Sequence, residues 1–599
     1  MAMSTFATLN FPYGIADFQT IINQGFYYLD RTDRIRLMEN MGHQLLLLRP
    51  RRFGKSLWLS TLENYYDLAK ADDFSRLFGH LQIGQCPTPI HNNYYVMRWD
   101  FSVVDPSGDL IKIRQSLFNH INIKIQSLVA KYSDQLNNVV IYDEDAIASF
   151  QSLLMAINRT PYKLYLFIDE YDNFANEVLV SQEKGEARYH ELVGSEGLIK
   201  TLFKAIKWGA NGEGLERVFM TGVTPVVMAD ITSGYNIIED ISRRSEFNDL
   251  CGFHEEEILT TLKQIMTNCP LASAKVEDAL SLMRAFYNGY NFSQQEDCDF
   301  VYNPTLALYF FKWLQMDCRY PKEMLDSNFA MDRNRIEYVS RLPYGQAIIN
   351  NALQSETPIT IPALSNRFGV QMMLNAPKDH TFLVSLLYYF GVLTYSGQDF
   401  MGDLQLVVPN LVVKKLYVEQ IQSVLLPGYE ISQEREQVCK IFYTSGEIEP
   451  LYDFIERRFL PVFDNRDLRW SNELVVKTAF LTTLFNDLVY IMDSETPLAK
   501  GYADLSLIIR PDRREYALLD HLLEFKHLKI SELPGLGLTS DHIAQMPRNE
   551  LRALPAVANL LAEAENQLAR YRVTLEAAYG TKLKLRTHAV VCIGLVRLV

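Results

Sequence analysis

A run of four leucines ending on a basic, glycine-bearing turn limits the fold of this chain more than any other stretch. Leu45 to Leu48 are uniformly apolar, as a strand buried on both faces must be, and RPRRFGKS follows over Arg49 to Ser56. Beyond it, Leu57, Trp58, Leu59, Leu62, Tyr65 and Tyr66 recur at helical spacing. A phosphate chain can sit on strand, loop and helix in that order. Backbone N–H groups and the helix N-terminus point at the anion, Lys55 reaches the outer phosphates, and the Ser56 hydroxyl can hold Mg²⁺. Arg49, Arg52, Phe53, Gly54 and Leu57 complete the cofactor-binding stretch. Arg49 stands where the general pattern has a glycine, so a basic turn before a core helix is the competing reading.

A second stretch, KLYLFIDEYD over Lys163 to Asp172, reads as a buried strand ending on two adjacent carboxylates. In a parallel sheet the carboxyl end of such a strand lies beside the phosphate loop. Asp169 is then placed to hold Mg²⁺ through water, and Glu170 to polarise the water that attacks the γ-phosphate. The plain alternative is an acidic helix start, which Asp and Glu favour. Tyr94 to Ser102 reads as an intervening strand, and the long interval from Lys55 to Asp169 predicts a helical insertion around Asp109 to Tyr132. A helix over Gly194 to Trp208 precedes a further strand, Leu215 to Thr221.

RPRRFGKS, LFIDEYD (Leu166 to Asp172) and TGVTP (Thr221 to Pro225) resemble the AAA-ATPase-like family of bacterial proteins that carry a PD-(D/E)XK nuclease domain at the C-terminus. FPYGIADF (Phe11 to Phe18) and FYYLDRTDRI (Phe26 to Ile35) are similar to the family's opening, and GYNFS (Gly289 to Ser293) with VYNP (Val301 to Pro304) to its middle. The resemblance implies an α/β chain that binds ATP and Mg²⁺. A P-loop, AAA/ASCE-like parallel sheet occupies residues 1–250, a helical, winged-helix-like middle 251–430, and a restriction-endonuclease-like α/β domain 431–599. Thr221, or else Thr224, falls where related ATPases sense the γ-phosphate. The aromatics of Phe11 to Asp30 either cover the base or fill the core. Arg243 and Arg244 are candidates for an arginine finger, with a surface salt bridge the alternative.

In the middle region, helical patterns run over Val276 to Phe286, Leu306 to Met316 and Ile336 to Ile349. His254 with Glu255, Glu256 and Glu257 reads as a dipole-compensated helix start rather than a metal site. A helix over Thr381 to Phe390 leads into a hairpin, which suggests a winged helix that contacts DNA or merely connects two domains. Lys414 and Lys415 are its nearest candidates for phosphate contact.

The C-terminal part holds a second chemical centre. Glu473 to Leu484 reads as a helix and Gly501 to Arg510 as a strand opening with Asp504. The chain then returns through Tyr516 to Lys526. Pairing about Pro511 to Arg514 sets Asp504 opposite a residue near Leu522 and puts Glu524 and Lys526 on its face. Two carboxylates there can hold Mg²⁺ against a scissile phosphate while the lysine orients water, although EFK on a solvated sheet face is the default reading. By resemblance, Asp504, Glu524 and Lys526 correspond to the PD-(D/E)XK signature, Glu473 to the preceding acidic residue, and Gln567 with Tyr571 to a QxxxY pattern. Leu585 to Ile593 closes the sheet, with Lys582, Lys584 and Arg586 available to nucleic acid.

A net charge of −14 argues against indiscriminate coating of nucleic acid while leaving room for a local basic groove. Seven cysteines without a CxxC pair imply free cytosolic thiols and no structural zinc. No secretion signal or membrane-length apolar run is present, so the expected location is cytoplasmic. The functional expectation is an ATP-gated, Mg²⁺-dependent nuclease acting on DNA ahead of RNA, with homo-oligomerisation open. The rival is a nucleotide-driven switch or scaffold whose nuclease-like domain binds without cleaving.

Overall fold

Five short strands build the first sheet: β1 (Gln44–Leu48), β2 (Tyr94–Asp100), β3 (Lys163–Asp169), β4 (Leu215–Gly222) and β5 (Glu239–Asp240). Their order is β2-β3-β4-β1-β5, with every pairing parallel. The computed structural model describes residues 8–599 apart from 106–108, 174–196, 226–234, 270–274, 296–297, 326–332, 354–357, 366–378, 464–471, 494–495, 499–500 and 534–538. Every residue of β1 is buried, which is why the leucine run is continuous rather than alternating. The predicted insertion is the helix Leu110–Lys131, N-capped by Asp109. The helix after β3 is described from Leu198 to Ala210, so the predicted start at Gly194 lies outside the described residues.

The middle-region helices Glu255–Thr267, Val276–Tyr287 and Pro304–Asp317 pack on one another and reach the segment before β1, with Thr261 hydrogen-bonded to Tyr27, Gln315 to Leu9, and Phe311 stacked on Phe11. The pattern over Ile336 to Ile349 is two helices, Arg333–Ser340 and Gly345–Leu353, broken at a turn through Leu342 and Tyr344. The predicted helix-and-hairpin is present as His380–Tyr389 followed by β7 (Thr394–Gln398) and β8 (Leu404–Val407), with β6 (Ile359–Ile361) added to β8. Lys414 and Lys415 do not offer themselves to phosphate. Both are largely buried on the helix Leu411–Leu425, Lys415 pairing with Asp487 at 2.9 Å and Lys414 lying 3.8 Å from Asp493. The cysteine expectation is corrected too. Cys269 and Cys318 form a disulfide, because the ends of two helices bring together residues 49 apart in sequence.

The last sheet comprises β9 (Tyr490–Asp493), β12 (Leu505–Ile509), β13 (Asp520–Leu528), β14 (Leu585–Ile593) and β15 (Arg597–Leu598), in the order β15-β14-β13-β12-β9. A small hairpin, β10 (Thr496–Leu498) and β11 (Gly501–Ala503), interrupts it, so the predicted strand Gly501 to Arg510 is broken at Asp504. β13 and β14 are parallel, and the helix Pro555–Tyr579 makes the crossover between them. Leu505 pairs with Leu523 and Ser506 with Leu522, which sets Asp504 level with Glu524 rather than Leu522. The two-residue displacement leaves facing unchanged, because side chains alternate with period two.

Arg510 fastens this sheet to the middle region. Fully buried, it donates to the carbonyls of Pro321, Lys322 and Asp487 and pairs with Asp512.

Candidate functional site

At the carboxyl edge of the first sheet, neighbouring strands deliver Asp169 and Thr221 side by side, since β3 and β4 run in register from Ile168 opposite Met220. Thr221 Oγ1 donates to Asp169 Oδ1 at 2.5 Å and Ser56 Oγ to Asp169 Oδ2 at 2.8 Å. Three residues picked from three separate sequence stretches therefore meet. The phosphate-loop helix, Lys55–Tyr66, begins after Gly54, whose φ of 86° favours glycine. Lys55 is buried, and its ammonium donates to the carbonyls of Arg49 and Pro50 at 3.0 Å each. Burial lowers its pKa, while Glu170, Asp169 and Asp172 act in the opposite sense.

Glu170 has a left-handed backbone, φ 51°, an uncommon conformation for a side-chain-bearing residue. Burial raises its carboxyl pKa, with Lys55 opposing and Asp169 reinforcing. Asp172 holds the neighbouring TGVTP turn, accepting from the N–H groups of Val223 and Thr224 and from the Thr224 hydroxyl. Gly222 admits the close approach of Tyr171, because a Cβ there would stand 2.4 Å from its ring.

Arg49 is placed elsewhere than expected. Its buried guanidinium donates to the carbonyls of Leu48, Ser242 and Phe247 and lies 4.2 Å over the Phe292 ring, so it faces the middle region and not a phosphate. The loop is further braced from that side. The Thr305 hydroxyl donates to the Arg52 carbonyl, and Phe53 packs edge-on against Tyr290 and Phe292. A cavity of about 380 Å³ opens in front of the loop, lined by Phe53, Lys55, Ser56 and Glu170 and by Tyr13, Tyr27 and Tyr28. The N-terminal aromatics thus divide, since Phe11 and Phe18 are core residues stacked on Phe311 and Phe78. Of the candidate arginine fingers, Arg244 pairs with Glu239 at 2.6 Å. His254 is the N-cap of the helix Glu255–Thr267, whose first turn carries Glu255, Glu256 and Glu257.

The second centre lies on the last sheet. Asp504, at the break before β12, accepts from the Phe525 N–H at 2.7 Å and from Lys477 Nζ at 3.2 Å. Glu524 Oε1 accepts from Lys526 Nζ at 3.1 Å, while its buried Oε2 has no hydrogen-bond partner. Burial first and Asp504 second push the Glu524 carboxyl up to about 7. Burial would lower Lys526, but Glu524, Asp504 and Glu473 outweigh it and raise its pKa. The Tyr571 hydroxyl is raised by burial and then by Glu524, placing it electrostatically within the same cluster. One turn earlier on that helix, Gln567 has a buried Oε1 without a hydrogen-bond partner. Lys584 is not a free nucleic-acid contact, since its ammonium donates to the carbonyls of Arg514 and Tyr516.

Sequence reasoning missed Lys477, Asp172, Arg98 and Glu63. Lys477, four residues after Glu473 on the same helix, was within reach of an i, i+4 argument. Arg98, which pairs with Asp169, depends on β2 lying beside β3; Glu63 on the approach of Arg98 to the helix Lys55–Tyr66; and Asp172 on the fold of the TGVTP turn against it. Among the described residues no three His, Cys, Asp or Glu side chains form a ready-made metal-ligand set. The chemistry of the donors still suits Mg²⁺ at both places: a hydroxyl with a carboxylate at Ser56 and Asp169, and two carboxylates, one with an unpartnered buried oxygen, at Asp504 and Glu524. Such a hard ion keeps several waters or phosphate oxygens, so two protein ligands suffice.

Residues 12–232 match a family described as predicted AAA-ATPase. A curated relative, an uncharacterized protein in the vnfD 5′ region of Azotobacter chroococcum mcd 1, is 27% identical over 310 residues, which cover 50% of this chain and 51% of the relative. The chain thus spans about half the length of that relative. Among solved structures, the Aeropyrum pernix ORC2 protein in ADPNP–ADP complexes aligns with a TM-score of 0.31 at 11% identity, over 68% of this chain and 94% of that one. The Aeropyrum pernix ORC1 protein in complex with DNA gives 0.25 at 10%, over 67% and 95%. Cdc6p from Pyrobaculum aerophilum gives 0.24 at 12%, over 71% and 99%. These structural likenesses are too slight to bear on function. Among the described residues no helix is long and apolar enough to cross a membrane.

Proposed function

We propose that the chain is an ATPase whose nucleotide state governs a C-terminal, metal-dependent nuclease acting on DNA, with RNA the second choice of substrate. The observation that carries the ATPase half is the meeting of Ser56, Asp169 and Thr221 beside Lys55, within the stretch that matches a predicted AAA-ATPase family. Lys55 and the loop N–H groups would hold the phosphates, Ser56 and Asp169 the ion, and Thr221 would fix the Asp169 carboxylate. Glu170, its carboxyl raised by burial, would take up the proton of the attacking water. Mg²⁺, where bound, would neutralise the developing phosphate charge.

The nuclease half rests on the closeness of Asp504, Glu524 and Lys526: Glu524 accepts from Lys526, and Asp504 accepts from the N–H of Phe525 between them. Asp504 and Glu524 would hold Mg²⁺, with Glu473 nearby, and Lys526 would orient the nucleophilic water. A second reading, a nucleotide-driven switch that binds without cleaving, draws on the engagement of both Asp504 oxygens and on the burial of Lys414 and Lys415.

Three variants of the full chain test these readings. Lys55→Ala is expected to lose ATP binding, Glu170→Gln to bind ATP but lose at least 100-fold in hydrolysis, and Lys526→Ala to lose DNA cleavage while hydrolysing ATP normally. ATP binding by the parent without cleavage of any DNA or RNA leaves the switch. Unchanged hydrolysis in Glu170→Gln removes the role given to Glu170.

A further inference from the structure

Asp169 already holds a cation supplied by the chain. Arg98 on β2 places Nη2 2.5 Å from Asp169 Oδ2, the same oxygen that accepts from Ser56 Oγ. A carboxylate oxygen offers about two lone-pair sites, and both on Oδ2 are taken. An ion approaching this oxygen can retain Ser56, whose hydroxyl has lone pairs of its own, but it must displace the guanidinium, a like charge with nothing to give. A second carboxylate waits within reach. Arg98 Nε lies 3.7 Å from Glu63 Oε1, and both of these buried atoms lack a hydrogen-bond partner. Glu63 sits two turns beyond Ser56 on the phosphate-loop helix, so both acids that flank Arg98 belong to elements that carry the nucleotide site.

We propose that Arg98 is the resident counter-ion of Asp169, exchanged for Mg²⁺ when nucleotide binds, and that Glu63 receives the released guanidinium. Arg98 is a positioning residue in this scheme, and the proposal deepens, and rests on, the reading of Lys55 to Ser56 as a phosphate loop. The exchange ties metal arrival to a movement of β2's side chain away from the β3 carboxylate, so binding of the metal–nucleotide complex is linked to a rearrangement within the domain.

Equilibrium binding of a fluorescent ATP analogue to the full chain, titrated with Mg²⁺, reads the exchange without hydrolysis. Arg98→Met is expected to lower the Mg²⁺ needed for half-maximal tight binding by on the order of tenfold, the size of a typical coupling between two ligands of one site. Glu63→Gln, which keeps shape but removes the receiving charge, is expected to raise that requirement in the parent and to have no effect in Arg98→Met. A Mg²⁺ requirement unchanged or raised in Arg98→Met overturns the proposal, as does a Glu63→Gln effect of equal size with and without Arg98. Should Arg98→Met fail to fold, a Glu63→Gln requirement equal to the parent's overturns it alone. A parent chain that binds no nucleotide would remove the phosphate-loop reading itself, an outcome distinct from binding with unaltered Mg²⁺ demand.

Discussion

Lys477 Nζ stands 3.2 Å from Asp504 Oδ1, with only 3% of the lysine side chain exposed. The pair joins the helix Asn472–Leu484 to the break before β12, and so sets where the Asp504 carboxylate points. Removing one partner of a buried pair strands the other charge. Lys477→Met is therefore expected to destabilise the chain by about 3 kcal/mol, read as the shift in urea-unfolding free energy. A change below about 0.5 kcal/mol would be that of an ordinary surface site.

Glu524 titrates near 7 in the folded chain against 4.5 for an ordinary glutamate, because burial and Asp504 both disfavour its charge. A carboxyl raised on folding contributes stability that is complete below 4.5 and is lost as pH climbs through about 7. Glu524→Gln keeps the neutral shape at every pH. Without divalent ions its melting temperature should exceed the parent's at pH 8, with the gap closing towards pH 4, and thermal melts across that range check it.

On the opposite face of β13, His521 and His588 stack beneath Phe442, with His521 Nδ1 3.1 Å from His588 Nε2. Burial pushes His521 down to about 2 and His588 to about 4, from 6.5. Both must charge on unfolding, so the stability of the neutral pair is present above 6.5 and declines as pH falls towards 4. Melting temperature should drop over that interval, and less steeply in His588→Asn. An equally steep decline in that variant would assign the acid sensitivity to other groups.

Arg510→Ala would leave the carbonyls of Pro321, Lys322 and Asp487 without their donor and Asp512 with Arg513 alone as its cation partner. The expected cost is about 3 kcal/mol, with faster proteolysis between the middle region and the last sheet. Protection equal to the parent's would show that the other contacts across this boundary suffice.

The site residues that sequence identified are those with local signals. Lys55 and Ser56 follow from a turn, Asp169 and Thr221 from strand ends, and all four fall where those signals put them. The sequence puts Glu524 and Lys526 on the face of Asp504 even with a register two residues out, since only parity decides the face. What escaped depends on contacts between distant segments. Arg49 looks like part of a phosphate loop until Ser242, Phe247 and Phe292 are seen around it. Cys269 and Cys318 look unrelated until two helices end together, and Arg98 carries no mark until β2 lies beside β3.

The nucleotide turn is moulded from outside as much as from within. Thr305 grips the Arg52 carbonyl, Tyr290 and Phe292 wall in Phe53, and Gly391 rests so close to Pro50 that a methyl group there would come within 2.6 Å of the proline ring. A fragment cut near residue 250 keeps the whole motif yet discards its mould, so silence from such a fragment in a nucleotide-binding assay would speak of missing neighbours and not of the motif.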